Sequence, residues 1–226
     1  MLGGIISSSI NSISRGLDVV FKNPVILVPS LIPMVIALIF DFLARWVFAQ
    51  QYIIPGAIIS TPNIALLTLG SFIAGILGFI AECMVVDMAN DVFSGGKPNL
   101  SKSLNLVIGK LVTLIVLAII AAILSIIIIG IPVAFFLAIV AIVEGVGVGE
   151  SLSRAISFVT KNLGSVIVFI IIVIVVAIIL ALIPIIGSIL SWIASIIFTV
   201  AAVHLYISLK APPPQPELPP PPPPPP

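Results

Sequence analysis

Three carboxylates in this sequence sit where carboxylates are expensive. Glu82, Asp87 and Glu144 lie within or at the ends of long apolar runs. A charge in hydrocarbon is costly, so such groups usually face the interior of a helical bundle and mark an ion or proton route. The other setting for them is the membrane interface, where water and Lys/Arg partners solvate them. Glu82 and Glu144 fall near the ends of their runs, which fits that setting. Arg15, Lys102 and Arg154 form a basic set, each following a serine and each standing two positions before a Leu or Ile. They can hold lipid headgroups, or they can be ordinary orientation signals with snorkelling side chains.

Other chemistry is missing from the pattern. His204 is the single histidine and lies in an apolar run, where packing between helices is expected rather than ligation. Cys83 is the single cysteine, so neither an intramolecular disulfide nor a multi-cysteine metal site is expected. Residues 144–150 read Glu-Gly-Val-Gly-Val-Gly-Glu. No strand precedes them and the third glycine is misplaced for a dinucleotide fingerprint, so they are expected to end a helix and permit a bend. There is no nucleophile elbow, no HExxH and no Walker A motif. The expectation is therefore no catalytic residue, no cofactor, no metal and no enzymatic activity.

The elements that position these residues are set by composition. Of 226 residues, 61% are hydrophobic and 8% are charged, against roughly 25% charged in a soluble domain. No soluble fold could bury that much apolar surface, so lipid is the expected solvent. The net charge of +1 gives no reason to expect a nucleic-acid partner. Met1 to Ser14 lacks a basic stretch before its apolar residues, so a cleaved signal peptide is not expected.

Six apolar runs near 24–45, 63–88, 106–129, 132–148, 163–182 and 187–209 approach the roughly 20 residues that a bilayer requires. Pro24, Pro29 and Pro33 should kink the first half of the first run. Asp41 and Arg45, four residues apart, can pair on one helix face, and Trp46 and Tyr52 suit the headgroup zone. Residues 47–63 read as a loop with a Pro55-Gly56 turn, and Thr61 before Pro62 reads as the next helix's N-cap. Gly70, Ala74 and Gly78 form a small-residue ridge ending at Glu82, a surface for close helix approach in lipid. Runs three, five and six read as nearly free of polar groups.

A short amphipathic pattern recurs. Segments starting near 14, 101 and 153 align Ser14, Ser101 and Ser153, then Arg15, Lys102 and Arg154, then Leu17, Leu104 and Ile156, then Val20, Val107 and Val159. Each copy precedes an odd-numbered run, which gives a parallel repeat. Ile6, Ile10, Ile13, Leu17 and Phe21 add an apolar stripe to a helix expected to lie in the interface. Eight of the nine basic residues fall on one side and only Arg45 falls toward the other, so both termini should be cytoplasmic.

The fold expected is all-α and polytopic, with six transmembrane helices as three hairpins, each preceded by an amphipathic interfacial segment. Residues 1–23 are the N-terminal interfacial helix, 24–209 the bundle and 210–226 a proline-rich tail. The tail holds twelve of the twenty prolines and ends in eight consecutive ones, a composition for extended polyproline II.

A family resemblance rests on Lys22-Asn23-Pro24, the Pro-containing first run, Glu144-Gly145, Glu150-Ser151-Leu152 and Lys161-Asn162. Over roughly residues 10–209 the order resembles the six-helix membrane domain that some bacteria carry fused to a glycerophosphodiester phosphodiesterase, and its free-standing archaeal and bacterial relatives. The resemblance implies a fold and a place in the cell membrane. It implies no catalytic activity, because the catalytic domain has no counterpart here. The role expected is a non-enzymatic scaffold or accessory subunit among membrane lipids, with a soluble protein partner at the proline tail. The alternative is a small transporter or permease-like protein using intramembrane carboxylates.

Overall fold

The computed structural model describes residues 2–54, 57–127, 130–183 and 186–210. The Pro55-Gly56 turn and the proline tail lie outside them. The described chain is nearly all helical. In order come α1 (Leu2–Lys22), α2 (Val28–Phe42), strands β1 (Gln50–Ile54) and β2 (Ala57–Thr61), α3 (Ile64–Phe93), α4 (Leu100–Gly109), α5 (Leu111–Ser125), α6 (Ile131–Val143), α7 (Val148–Lys161), α8 (Leu163–Ala181) and α9 (Ile186–Lys210).

Four helical stretches are long and apolar enough to cross a membrane: Pro24–Val47, Ile64–Phe93, Leu163–Ala181 and Ile189–Lys210. The third expected span is broken instead. α4 and α5 meet at a 75° bend, and counting them as one span would make a fifth. The break falls at Gly109 and Lys110, because a lysine four residues into an apolar run seeks a polar end. Lys110 Nζ donates to the Ala141 carbonyl at 3.0 Å, near the close of α6, where last-turn carbonyls lack helical partners. The fourth expected span is a helix of only 13 residues, α6. It stops at Val143 because Gly145 turns the chain at φ 71, so the glycines of 144–150 act as expected.

Two local expectations are corrected. Residues 47–63 are not a loop: β1 and β2 pair antiparallel, with Gln50 opposite Thr61 and Ile54 opposite Ala57. The β-branched and aromatic run Tyr52-Ile53-Ile54 and Ile58-Ile59, centred on Pro-Gly, favours strand pairing over open coil. Nor is Thr61 the N-cap of α3. Asn63 is, accepting from the Leu66 amide at 3.2 Å, while its own amide donates to the Ala44 carbonyl at 2.9 Å. The prolines of the first span sit mostly where they cost least. Pro24 opens a short 3-10 turn and Pro29 lies in the first turn of α2; only Pro33 is inside the helix.

Helices α2 and α3, α5 and α6, and α8 and α9 pack in pairs. The short helices pack as well: α4 on α3, α7 on α6, and α1 on α9 and α8. At corresponding positions Gly16, Ser103 and Ala155 are buried, as are Val20, Val107 and Val159. The basic residues just before the small ones, and Leu17, Leu104 and Ile156 just after, are exposed.

In α1 the polar residues divide: Ser7, Asn11 and Arg15 are exposed, and other serines are turned inward. Ile6, Ile10, Leu17 and Phe21 point outward, while Ser9 and Ser12 are fully buried. Ser8 and Ser9 bond to Ser165 of α8, and a methyl on Gly16 would lie 2.7 Å from the Ile197 carbonyl. With lipid outside, an apolar stripe gains nothing by turning inward, and small residues let backbones approach.

The core occupies one half of the bundle. It runs through Ala81–Ala89 of α3, Phe136–Ile142 of α6 and Ile196–Tyr206 of α9, closed by faces of α1, α4 and α7. We call this the basal half. The distal half carries the β-hairpin and the connections near 127 and 183; there Leu38, Phe72, Ile123, Ile178 and Ile189 are exposed.

Candidate functional site

Glu82 is the residue on which the interior opens. It lies on α3 where the tight basal packing gives way, and Thr199 of α9 donates to its carboxylate at 3.0 Å. Both residues line each of three cavities. The largest, about 540 Å³, runs between α2, α3 and α9. A second, about 220 Å³, lies among α6, α8 and α9. A third, about 140 Å³, lies between α3 and α6. Three gaps between splayed helices therefore converge on one carboxylate and one hydroxyl.

The largest cavity is long. Its α2 wall extends from Ser30 to Asp41, roughly 16 Å at 1.5 Å per residue. Its α3 wall extends from Leu67 to Val85, roughly 27 Å on the same count. Asp41, at the distal mouth, is held by Arg45 at 2.7 Å as expected. The lining of all three cavities contains no Lys, Arg or His, and no described cation pairs with Glu82.

Sequence reading found Glu82 but missed the hydroxyl ladder on the last helix. Ser191, Ser195 and Thr199 recur every four residues and all line these cavities; Ser195 and Thr199 reach the largest as well. The last run is therefore not free of polar groups. The i, i+4 serine and threonine spacing was the signal.

The other two carboxylates are not part of this site. Asp87, five residues further along α3, is buried and accepts from Ser103 of α4 at 2.6 Å. Glu144 has only 4% of its side chain accessible and accepts from Arg154, Lys210 and the Tyr206 hydroxyl. Tyr206 meets Phe158 edge-on, ring centroids 4.7 Å apart, and Phe158 meets Phe136 at a tilt, 4.9 Å apart. Both are structural ties in the basal half.

The basic set separates in the same way. Arg154 binds Glu144 and Glu150. Lys102 pairs with Asp91, whose hydrogen bond is the main influence raising the lysine above its ordinary range. Arg15 is exposed on α1. His204 packs as expected between helices, its Nδ1 3.0 Å from Ser12 Oγ and its ring 5.1 Å from that of Phe93. Cys83 is buried. Among the described residues no group of three or more His, Cys, Asp or Glu side chains could hold a metal ion.

The small-residue ridge divides as well. Gly70 meets Phe40 so closely that a methyl would collide with its Cβ. At Gly78 a methyl would find only Pro33, 4.0 Å away, because Gly78 faces the cavity.

The class that fold and site define is a helical protein with several helices apolar enough to cross a membrane and a carboxylate at the meeting point of three clefts. No protein-family model, no curated protein and no solved structure matches the chain.

Proposed function

We propose that the chain is a small transporter- or permease-like protein that holds a cationic solute at Glu82. The observation that carries this is the convergence of three cavities on a carboxylate with one hydroxyl partner and no described counter-cation. A lone carboxylate at membrane depth is expensive unless its charge is used. In this reading α2–α3, α5–α6 and α8–α9 are three hairpins and six spans, with α4–α5 bent at the interface and α6 a short span. The matching burial of Gly16, Ser103 and Ala155 supports the threefold repeat. The eight-to-one basic bias supports both termini, and the basal half, in the cytoplasm of a cell-membrane protein. The clefts then open outward and close at Glu82. The scaffold reading keeps the composition of residues 210–226 in its favour, a stiff arm suited to a soluble partner.

The test is accessibility. In a Cys83→Ala background, Thr199→Cys should react with an impermeant methanethiosulfonate reagent added outside intact cells. A thiol at 199 that stays unlabelled from that side would remove the path, and the reading with it.

A further inference from the structure

The site also says which kind of cation it suits. A dehydrated metal ion takes several oxygen ligands, six to eight for calcium. Beside Glu82 stand the Thr199 hydroxyl and, one turn along α9, that of Ser195. The second lining carboxylate, Asp41, is held by Arg45 at the distal mouth. A small inorganic ion at Glu82 would therefore meet one carboxylate and too few oxygens to replace its water. Most of the remaining wall of the largest cavity is apolar and soft, with Met34, Leu38, Phe40, Leu67, Trp192 and Ile196, and its other polar groups are Ser30, Asp41 and Ser71. Its volume of about 540 Å³ falls within the range of small-molecule sites, roughly 300–1,000 Å³. Trp192 lies seven residues from Thr199 on the same face of α9, roughly 10 Å along the axis. Its indole N–H is buried without an acceptor among the described residues. Indole is the aromatic surface that cations prefer. Leu38 is 58% exposed on the flank of the bundle, so the cleft opens sideways, toward lipid, as well as distally.

Resting on Glu82 as the binding centre, we infer that the ligand is an amphiphilic organic cation, its charge at Glu82 and its apolar body along α2 and Trp192. A diffuse organic charge sheds water cheaply and needs one counter-carboxylate rather than a ligand shell. Two carboxylates and no basic residue among the lining side chains exclude an anion of the same shape.

The full chain with Trp46→Phe, in lipid nanodiscs, leaves Trp192 as the only tryptophan. Tetraphenylphosphonium and tetraphenylborate are matched probes of nearly equal size and opposite charge. Tetraphenylphosphonium should give a saturable change in Trp192 fluorescence and tetraphenylborate none. Glu82→Gln should weaken the phosphonium response at least about tenfold, 1.4 kcal/mol. Equal responses to both ions, no saturable response, or the same affinity in Glu82→Gln would each overturn the inference. Should Glu82→Gln fail to fold, the contrast between the two probes on otherwise wild-type protein decides. Accessible Thr199→Cys with no phosphonium binding leaves the Glu82 reading standing and sinks only the organic-cation class. An inaccessible thiol sinks both.

Discussion

The basal and distal halves are built from the same helices and obey different rules. In the basal half, Glu144 is wrapped by Arg154, Lys210 and Tyr206, Asp87 is capped by Ser103, and Gly16 lets α1 touch the α9 backbone. In the distal half, Asp41 has an exposed partner on its own helix and Gly78 faces open space, and at the boundary where the basal packing ends Glu82 has a single hydroxyl. Polar groups are thus fully paired where the protein is closed and left short of partners where it opens. Stability is concentrated at one end so that the other can be hollow.

Matched substitutions in the two halves should separate accordingly, read as thermal unfolding of the full chain in mild detergent. The largest gap is expected between the acids. Glu144→Ala removes three charge-assisted partners and should cost about 3 kcal/mol. Asp41→Ala breaks an exposed pair and should cost below about 0.5 kcal/mol. Equal losses would mean the two ends are equally packed.

Next come the glycines. Gly16→Ala and Gly78→Ala gain the same helix propensity, about 1 kcal/mol, so their difference isolates packing. Gly16→Ala should lose about 1–3 kcal/mol from overpacking, and Gly78→Ala should be neutral or slightly stabilising. A destabilised Gly78→Ala would show the cleft closed in solution.

The hydroxyls should differ less. Ser103→Ala strands a buried carboxylate and should cost about 1–3 kcal/mol, whereas Thr199→Ala leaves Glu82 facing a cavity and should cost below about 1 kcal/mol.

The smallest effect belongs to Lys102. Its ammonium is raised by the Asp91 hydrogen bond, so its contribution is complete below the ordinary lysine value and disappears only as pH rises through the raised one. Lys102→Ala should therefore shift unfolding by less than about 1 kcal/mol, by the same amount at pH 6 and pH 8. A shift that changed between those two pH values would point to another titrating group behind it.

Much of the frame was legible because lipid makes the constraint simple. Long apolar runs must be helices, and the four longest stretches follow from that. The carboxylate at position 82 stood out against its run for the same reason. What could not be read depended on partners distant in sequence. Thr199 meets Glu82 across 117 residues, and Ser12 meets His204 across 192. The burial of Ser9 and Ser12 was likewise out of reach, because amphipathicity gives two faces and does not say which one meets protein. The break at Lys110 and the strands of 50–61 were visible in composition but were outweighed by the hydropathy of the one and the turn residues of the other.

The docking of α1 on α9 also sets a timetable. The α9 surface that the Ser9, Ser12 and Gly16 face fits begins at Ile186, far along the chain from α1. At about 5–20 residues per second, the ribosome needs roughly ten to forty seconds to cover that distance. During that interval the serine face of α1 has no α9 against it, while Ile6, Ile10 and Phe21 point away from it. Closing the basal half then has to wait for α9, and a chain stalled before α9 would present a greasy helix with its inner face bare to the quality-control machinery.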